Sequence, residues 1–302
     1  MNTMHISSNC VLCPRNCGVD RKNNRKGYCG ESDTLRIARA ALHYWEEPVI
    51  SGETGSGAVF FTGCNLKCIF CQNGEIAGNR IGKEVTVDRL AEIFGELEEK
   101  GAANINLVTA SHYVPWVVQA IREAKAAGLR IPIVYNSSAY EKAETLKLLD
   151  GLVDIYLPDF KYMDEALAWK YSKAADYPET AKAAIAEMYR QVGEPVFDPE
   201  NGMMKKGVIV RHLVMPGGVK NAKAVIDYLY DTFGGQIYIS LMNQYTPLRH
   251  IEEYPELNRK VTKREYERVV AYALDKGVEN AFIQEGDTAE ESFIPAFDYE
   301  GV

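Results

Sequence analysis

From Ala58 onward the chain alternates between two hydrophobic periods. Short runs of β-branched and aromatic residues predict buried strands at Ala58–Thr62, Asn104–Thr109, Ile131–Asn136, Val153–Leu157, Val208–Val214 and Gln236–Met242, with a seventh candidate at Ala281–Gln284. Longer amphipathic segments separate them. Leu90, Ile93, Phe94 and Leu97 share one helical face, as do Val117, Val118, Ile121 and Ala124, with Pro115 near the start of the second segment and Gly128 at its end. Thr262 and Glu265 have capping-box spacing ahead of Val269, Val270, Ala273 and Leu274. About six strand–helix units in series predict an α/β fold with a parallel sheet and right-handed crossovers. Six units are few for a closed eight-stranded barrel. The expected fold is therefore a partial (βα)6 barrel, with a doubly wound sheet as the alternative. Either places reactive groups at the carboxyl ends of the strands.

The first 57 residues break this rhythm. Residues 1–32 hold four cysteines, many Asn, Arg and Gly and little apolar content, so this extension needs a metal or a docking surface to order it. Residues 33–57 predict a linking strand within Leu35–Trp45 and a turn at SGETGSG. The barrel is expected over 58–284. The acidic, aromatic tail of 285–302 is expected to cover a barrel edge.

Composition narrows the function classes. The chain has 302 residues, 46% hydrophobic, with a formal net charge of −8 and no long basic run, which argues against nucleic acid or anionic lipid as the main partner. The start, MNTMHISSNC, lacks the charged and apolar regions of a secretory signal, and no apolar run approaches the roughly 18 residues that span a bilayer. A cytoplasmic protein is expected. In a reducing compartment, seven clustered cysteines suit metal ligation better than disulfides.

The chemistry concentrates directly after the first predicted strand, in AVFFTGCNLKCIFCQN. Cys64, Cys68 and Cys71 can wrap one loop around an iron–sulfur cluster, since thiolates are soft ligands. A four-iron cube held by three thiolates keeps one iron open, which by analogy with zinc sites marks catalysis rather than structure. The plainer alternatives are a zinc loop or buried free thiols.

These residues resemble the radical S-adenosylmethionine superfamily, whose C-x3-C-x-aromatic-C pattern matches Cys64, Cys68, Phe70 and Cys71. The GSGAVFFTGC lead-in and the CQN exit look like the branch of pyruvate formate-lyase activating enzyme. The resemblance implies a 4Fe–4S cluster, S-adenosylmethionine chelated at the open iron, and an electron donor such as flavodoxin or ferredoxin. It also implies reductive carbon–sulfur cleavage to methionine and a 5′-deoxyadenosyl radical, which abstracts hydrogen from a protein or small-molecule substrate.

The cofactor's carboxylate, amine and adenosine need polar partners at other strand ends. Asp159 and Lys161 in YLPDFKY look like the Asp-x-Lys segment of the activating branch, with Lys161 a point charge for the carboxylate. Arg211, inside an apolar strand, needs a partner and could point inward, whereas His212 faces the other way. Asn136, Ser137 and Ser138 could meet the ribose or amine, or cap a helix. Thr109, Ser111 and His112 stand where the activating branch has Gly-Gly-Glu-Pro, a departure that leaves the amine contact open; Ser111 is the side chain singled out, and His112 could touch substrate. Of Asn243, Gln244 and Tyr245, Gln244 or Tyr245 is expected to face adenosine or substrate, and relatives often carry a His near Tyr245, a second departure. Phe70 could pack on adenine or fill the loop core.

Cys10, Cys13, Cys17 and Cys29 form C-x2-C-P-R-x-C-x11-C. Four thiolates fit tetrahedral zinc or a second 4Fe–4S cluster; spacing does not separate these, and zinc is slightly favoured. Two function classes follow. One is a radical enzyme, activating a glycyl-radical enzyme or modifying another protein or a metabolite. The other is a non-catalytic iron–sulfur electron-transfer protein.

Overall fold

A computed structural model describes residues 8–284 and 295–302. Among these described residues ten strands form one sheet: β1 (Arg36–His43), β2 (Ser56–Phe61), β3 (Lys83–Glu84), β4 (Ile105–Val108), β5 (Ile133–Ser137), β6 (Ile155–Pro158), β7 (Val196–Phe197), β8 (Met204–Leu213), β9 (Tyr238–Met242) and β10 (Ala281–Ile283). Their spatial order is β10-β9-β8-β6-β5-β4-β2-β1-β3, with β7 paired off this path to β8. The strands from β2 to β10 on that path are mutually parallel and run in sequence order. A doubly wound sheet would reverse its order at a switch point. This one does not reverse, so it is the open, barrel-like sheet expected. β1 is antiparallel to β2 and extends the sheet at that edge.

Each strand sorts its residues by parity. Val59, Phe61, Leu107, Tyr135, Tyr156, Val208, Val210, Ile239 and Leu241 belong to the large core beneath the helices. The opposite face carries Val134, Ile155, Leu157 and Ile209, which pack around Ile50 and Met204 as a dry floor. Ala58, Phe60 and Val108 form a second inner cluster with Ala38 and Ile76. Above the floor the inward positions turn polar, as described below.

The predicted helices form at Val87–Glu99, Val114–Ala127 and Lys263–Lys276. Thr86 caps the first by accepting from the Arg89 N–H, Gly128 ends the second at φ 114°, and Thr262 with Glu265 completes the capping box of the third. Further helices at Tyr177–Val192 and Val219–Phe233 cover the sheet with Ala181, Ala184, Ile185, Met188, Val225, Ile226 and Leu229. The strand predicted from Ile131 starts at Ile133, because Pro132 has no N–H to give the ladder. β8 begins earlier than predicted, at Met204.

The predicted tail falls partly outside the described residues, as do residues 1–7. Its described part runs beside β1: the Ala40 N–H donates to the Glu300 carbonyl at 2.8 Å, and Phe297 meets Phe60 edge-on at 5.5 Å. Among the described residues no helix is long and apolar enough to cross a membrane.

Candidate active site at the carboxyl ends of the strands

A cavity of about 510 Å³ opens at the carboxyl ends of β2, β4, β5, β6, β8, β9 and β10. That size accommodates a cofactor-sized ligand. Cys64, Cys68, Phe70 and Cys71 line one wall. Their loop is fixed by its backbone: the Ile69 N–H donates to Tyr171 O at 3.0 Å, and the Cys71 N–H to Cys68 O at 3.2 Å. The Leu66 N–H points at Cys64 Sγ (3.4 Å), and the Ser172 hydroxyl at Cys68 Sγ (3.2 Å). Burial pushes the Cys71 thiol up to about 12, and the neighbouring Cys68 and Cys64 push in the same direction, while Lys161 opposes them. Burial raises Cys68 as well, and these two thiols need a cation to become thiolates. That donor set fits an iron–sulfur cluster.

Arg211 is the hub of the opposite wall. Pairing of β6 with β8 extends past the strand, with the Phe160 N–H donating to Arg211 O at 2.8 Å, and this sets Asp159 beside Arg211. The guanidinium donates to Asp159 Oδ1 (2.7 Å), Glu46 Oε2 (2.7 Å) and Asn136 Oδ1 (2.6 Å). Glu46 Oε1 accepts from Asn106 (2.9 Å) and Asn136 (3.2 Å). Lys161 Nζ donates to Asp159 Oδ2 at 2.8 Å. Burial pushes the Asp159 carboxyl up, but Arg211 and Lys161 more than offset it, so the carboxyl lies below its ordinary value. For Lys161, burial is outweighed by Asp159 and by the Cys68 and Cys71 thiols, so its ammonium is held above its ordinary value. The Tyr177 hydroxyl accepts the Lys161 N–H at 2.8 Å and lies within reach of the Ser138 and Asp159 carbonyls.

Of the residues proposed from sequence, Phe70, Asn136, Asp159, Lys161, Arg211 and Gln244 border this cavity together with the three cysteines. Thr109 borders it too, in a left-handed backbone conformation (φ 63°) that is rare for a β-branched residue. Gln244 is held by Gln72, which donates to its carbonyl at 3.2 Å, and by Gln284, which donates to its Oε1 at 3.0 Å.

Two expectations are corrected, and a third, Gln244 or Tyr245, is narrowed to Gln244. Ser111 is buried away from the cavity with its hydroxyl on Glu141, because the 3-10 turn after β4 rotates it out of the strand's inward register. His112 is buried as well: Nε2 meets the Thr62 carbonyl at 2.7 Å and the ring packs on Tyr113, so it cannot meet a substrate in this cavity. Tyr245 turns away to donate to Leu257 O at 2.8 Å and meets the edge of Phe70, a cavity residue. The sequence reading stopped at Trp45 and so missed Glu46 and Glu47, and it also missed Asn106 and Tyr177. The one local signal was the acidic pair directly after an apolar strand.

Burial lowers two imidazoles that face away from the cavity, His112 to about 3 and His212 to about 4. Both are neutral in the folded protein, whereas the unfolded chain protonates them below about pH 6.5. The unfolded state thus binds more protons there, and stability present above that pH is lost as the pH falls towards 4. Glu141, pushed up to about 7 by burial, acts in the opposite sense but is outnumbered. Tm is expected to drop between pH 7 and pH 5. His212→Asn, which keeps a donor for the Phe160 carbonyl, should flatten that slope; an unchanged slope would refute the assignment.

The amino-terminal cysteines lie beside this wall. Cys10, Cys13 and Cys29 are buried and Cys17 is partly exposed. A Cβ placed on Gly27 would sit 3.0 Å from Cys17 Sγ and 3.6 Å from Cys29 Sγ. Burial pushes Cys13 up to about 12, and Cys29 and Cys10 add to the shift. Among the described residues no three His, Cys, Asp or Glu side chains are arranged to hold a metal ion. The compact tetrahedron favoured for zinc, with Zn–S bonds of about 2.3 Å, therefore finds no support.

The sequence model of the radical SAM superfamily matches residues 58–217, more than half of the chain. The chain belongs to the radical SAM superfamily. An uncharacterized protein of Methanocaldococcus jannaschii is 29% identical over 279 residues, covering 89% of this chain and 75% of that one. Among solved structures, Streptococcus suis SuiB bound to S-adenosylmethionine aligns with a TM-score of 0.51 at 14% identity, over 74% of this chain and 48% of SuiB. SuiB bound to its precursor peptide SuiA aligns with a TM-score of 0.50 at 13% identity, over 74% and 46%. At this identity the likeness concerns the fold, and the chain spans about half the length of SuiB.

Proposed function

We propose that this protein binds a 4Fe–4S cluster through Cys64, Cys68 and Cys71 and cleaves S-adenosylmethionine reductively beside it. The observation that carries this reading is the placement of Lys161, which pairs with Asp159 at 2.8 Å and electrostatically faces the Cys68 and Cys71 thiols. When bound, the cluster and S-adenosylmethionine supply one-electron carbon–sulfur cleavage and a 5′-deoxyadenosyl radical. The protein supplies orientation. Arg211 already serves Asp159, Glu46 and Asn136, so it fixes Asp159, and Lys161 is the cation available to the cofactor carboxylate. Phe70 and Gln244 border the adenosine side. The amino-terminal extension docks as a unit of its own on the barrel, and a low-potential flavodoxin or ferredoxin provides the electron.

Lys161→Met should weaken S-adenosylmethionine binding by about 10- to 100-fold, the equivalent of one charge-assisted hydrogen bond, while the cluster's iron content is retained. Equilibrium dialysis on anaerobic protein measures this, and unchanged affinity would remove Lys161 from the site. The substrate proposed is the backbone of a glycyl-radical enzyme, supported by the CQN exit and the Asp159-x-Lys161 segment. Incubating the reduced protein with S-adenosylmethionine and pyruvate formate-lyase should give the paramagnetic doublet of a glycyl radical. Absence of the doublet under conditions that still form 5′-deoxyadenosine moves the assignment to another protein or a metabolite.

A further inference from the structure

We propose that the end of the cavity beside Glu47 is a subsite for an alkylammonium group, the anchor of the compound that meets the 5′-deoxyadenosyl radical, with the Glu47 carboxylate as its counter-ion and Trp45, Phe60 and Phe282 as its walls. The inference rests on the reading given above that S-adenosylmethionine occupies the cysteine side of the cavity.

Among the described residues, five charged side chains line the cavity: Glu46, Glu47, Asp159, Lys161 and Arg211. Arg211 donates to Asp159 and Glu46, and Lys161 donates to Asp159. Those four compensate one another, two carboxylates against two cations, and Glu47 is left over. Its Oε2 meets no hydrogen-bond partner among the described residues, although the residue is only 8% exposed. Arg211 acts on Glu47 through space, but its hydrogen bonds go to Asp159, Glu46 and Asn136. His43, on the same wall, adds no positive charge, because burial, Arg39 and Arg211 hold its imidazole down to about 4. Arg39 is itself committed to Asp298 (2.6 Å) and Glu300.

Other buried carboxyls have different surroundings. Glu31 accepts from Arg36 and from the Tyr113 hydroxyl, both at 3.1 Å. Glu141 also has an unpartnered Oε2, but its other oxygen accepts from Ser111, and it does not line the cavity. Glu47 alone joins an unpartnered oxygen to a place on the cavity wall. Burying such a group without a partner is costly, and the backbone keeps it there. The Glu46 N–H donates to Ser51 Oγ at 3.0 Å, the Glu47 carbonyl accepts from the N–H groups of Ile50 (2.8 Å) and Ser51 (3.0 Å), and Asn104 donates to the Ile50 carbonyl at 2.7 Å.

The surroundings select a cation. Burial pushes the Glu47 carboxyl up against the pull of Arg211, and Glu46 adds to the rise. An arriving ammonium ionises it, and the proton leaves to solvent. An anion would meet Glu46 and Glu47 together. Phe60 lies edge-on to His43 at 6.1 Å, and Phe282 stacks on Tyr238 at 5.2 Å. Rings held in this way attract an ammonium to their faces and pack against its alkyl stem. A lysine side chain near the reacting residue of a protein and a free amine offer the same group.

The test is calorimetric titration of full-length anaerobic protein with its cluster reconstituted. The probes are n-butylammonium against n-butanol, and acetyl-Gly-Lys-Gly-amide against its norleucine counterpart. The ammonium member of a pair should bind about 10- to 100-fold more tightly than the neutral one, the worth of one charge-assisted hydrogen bond. Tighter binding of the lysine peptide assigns the subsite to a protein side chain, and tighter binding of n-butylammonium assigns it to a free amine. Glu47→Gln keeps the shape and removes the charge, so it should abolish the preference and leave n-butanol binding unchanged. The wild-type comparison decides alone if that variant does not fold. Equal binding of charged and neutral members by the wild type, or an undiminished preference in Glu47→Gln, would overturn the proposal. These titrations contain no S-adenosylmethionine. A wild type that prefers ammonium but forms no 5′-deoxyadenosine would count against the catalytic reading, whereas one that forms it without any preference would count against the subsite.

Discussion

Anaerobic Cys68→Ala protein is expected to form no 5′-deoxyadenosine above a protein-free blank, and to lose the iron of one cluster. Cys68 is central among the three cavity thiols. Burial raises its pKa, Lys161 pulls it down, and Cys64 pushes it up again. Such a thiol ionises only for a metal, and removing it leaves two ligands for a four-iron cube. Little else depends on the side chain. The loop turn uses the Cys68 carbonyl, which alanine keeps, and the thiol itself meets the Ser172 hydroxyl. Removing a single neutral hydrogen bond costs about 1 kcal/mol, so Tm should hardly move while activity vanishes. Wild-type levels of 5′-deoxyadenosine from this variant would remove Cys68 from the site.

The largest effect on stability is expected at Arg211. Its guanidinium is 13% exposed and meets Glu46, 8% exposed, and Asp159, 20% exposed. Arg211→Met leaves two largely buried carboxylates facing each other with only Lys161 to compensate. Breaking a buried ion pair from one side costs about 3–5 kcal/mol, which lowers Tm by roughly 10 °C in a protein of this size. The cost arises from the orphaned charges rather than from the missing arginine. Combining Arg211→Met with Glu46→Gln and Asp159→Asn should therefore recover part of the stability. Thermal unfolding of the three proteins at pH 7 decides the matter. A single variant within about 1 kcal/mol of wild type would mean that water, not the protein, screens these charges.

What the sequence disclosed depended on how local each feature is. The three-cysteine loop and its preceding strand are contiguous, so spacing alone exposed them. Strands β2, β4, β5, β6, β8 and β9 were visible because each buries a run of β-branched, aliphatic or aromatic residues. Glu46 was invisible because its meaning lies in Arg211, 165 residues away, and no local period announces such a pair. Ser111 and His112 failed for the opposite reason. They stand in the right place along the chain, but the 3-10 turn after β4 rotates both out of the inward register. Asn136 and Arg211 succeeded because they remain within regular strands, where alternation still predicts direction. The amino-terminal cysteines stood out by their spacing, but their contact with the Cys64–Cys71 loop exists only in the fold.

The central claim is that the Cys64–Cys71 loop supports reductive cleavage of S-adenosylmethionine, and its most direct test is product analysis of reconstituted protein. Anaerobic protein, with its reduced cluster quantified by paramagnetic resonance, is mixed with S-adenosylmethionine, and 5′-deoxyadenosine and methionine are measured by chromatography. Equal amounts of the two products, dependent on the reductant, are predicted. An intact, reduced cluster that yields neither product would contradict the account and leave an iron–sulfur electron carrier in its place.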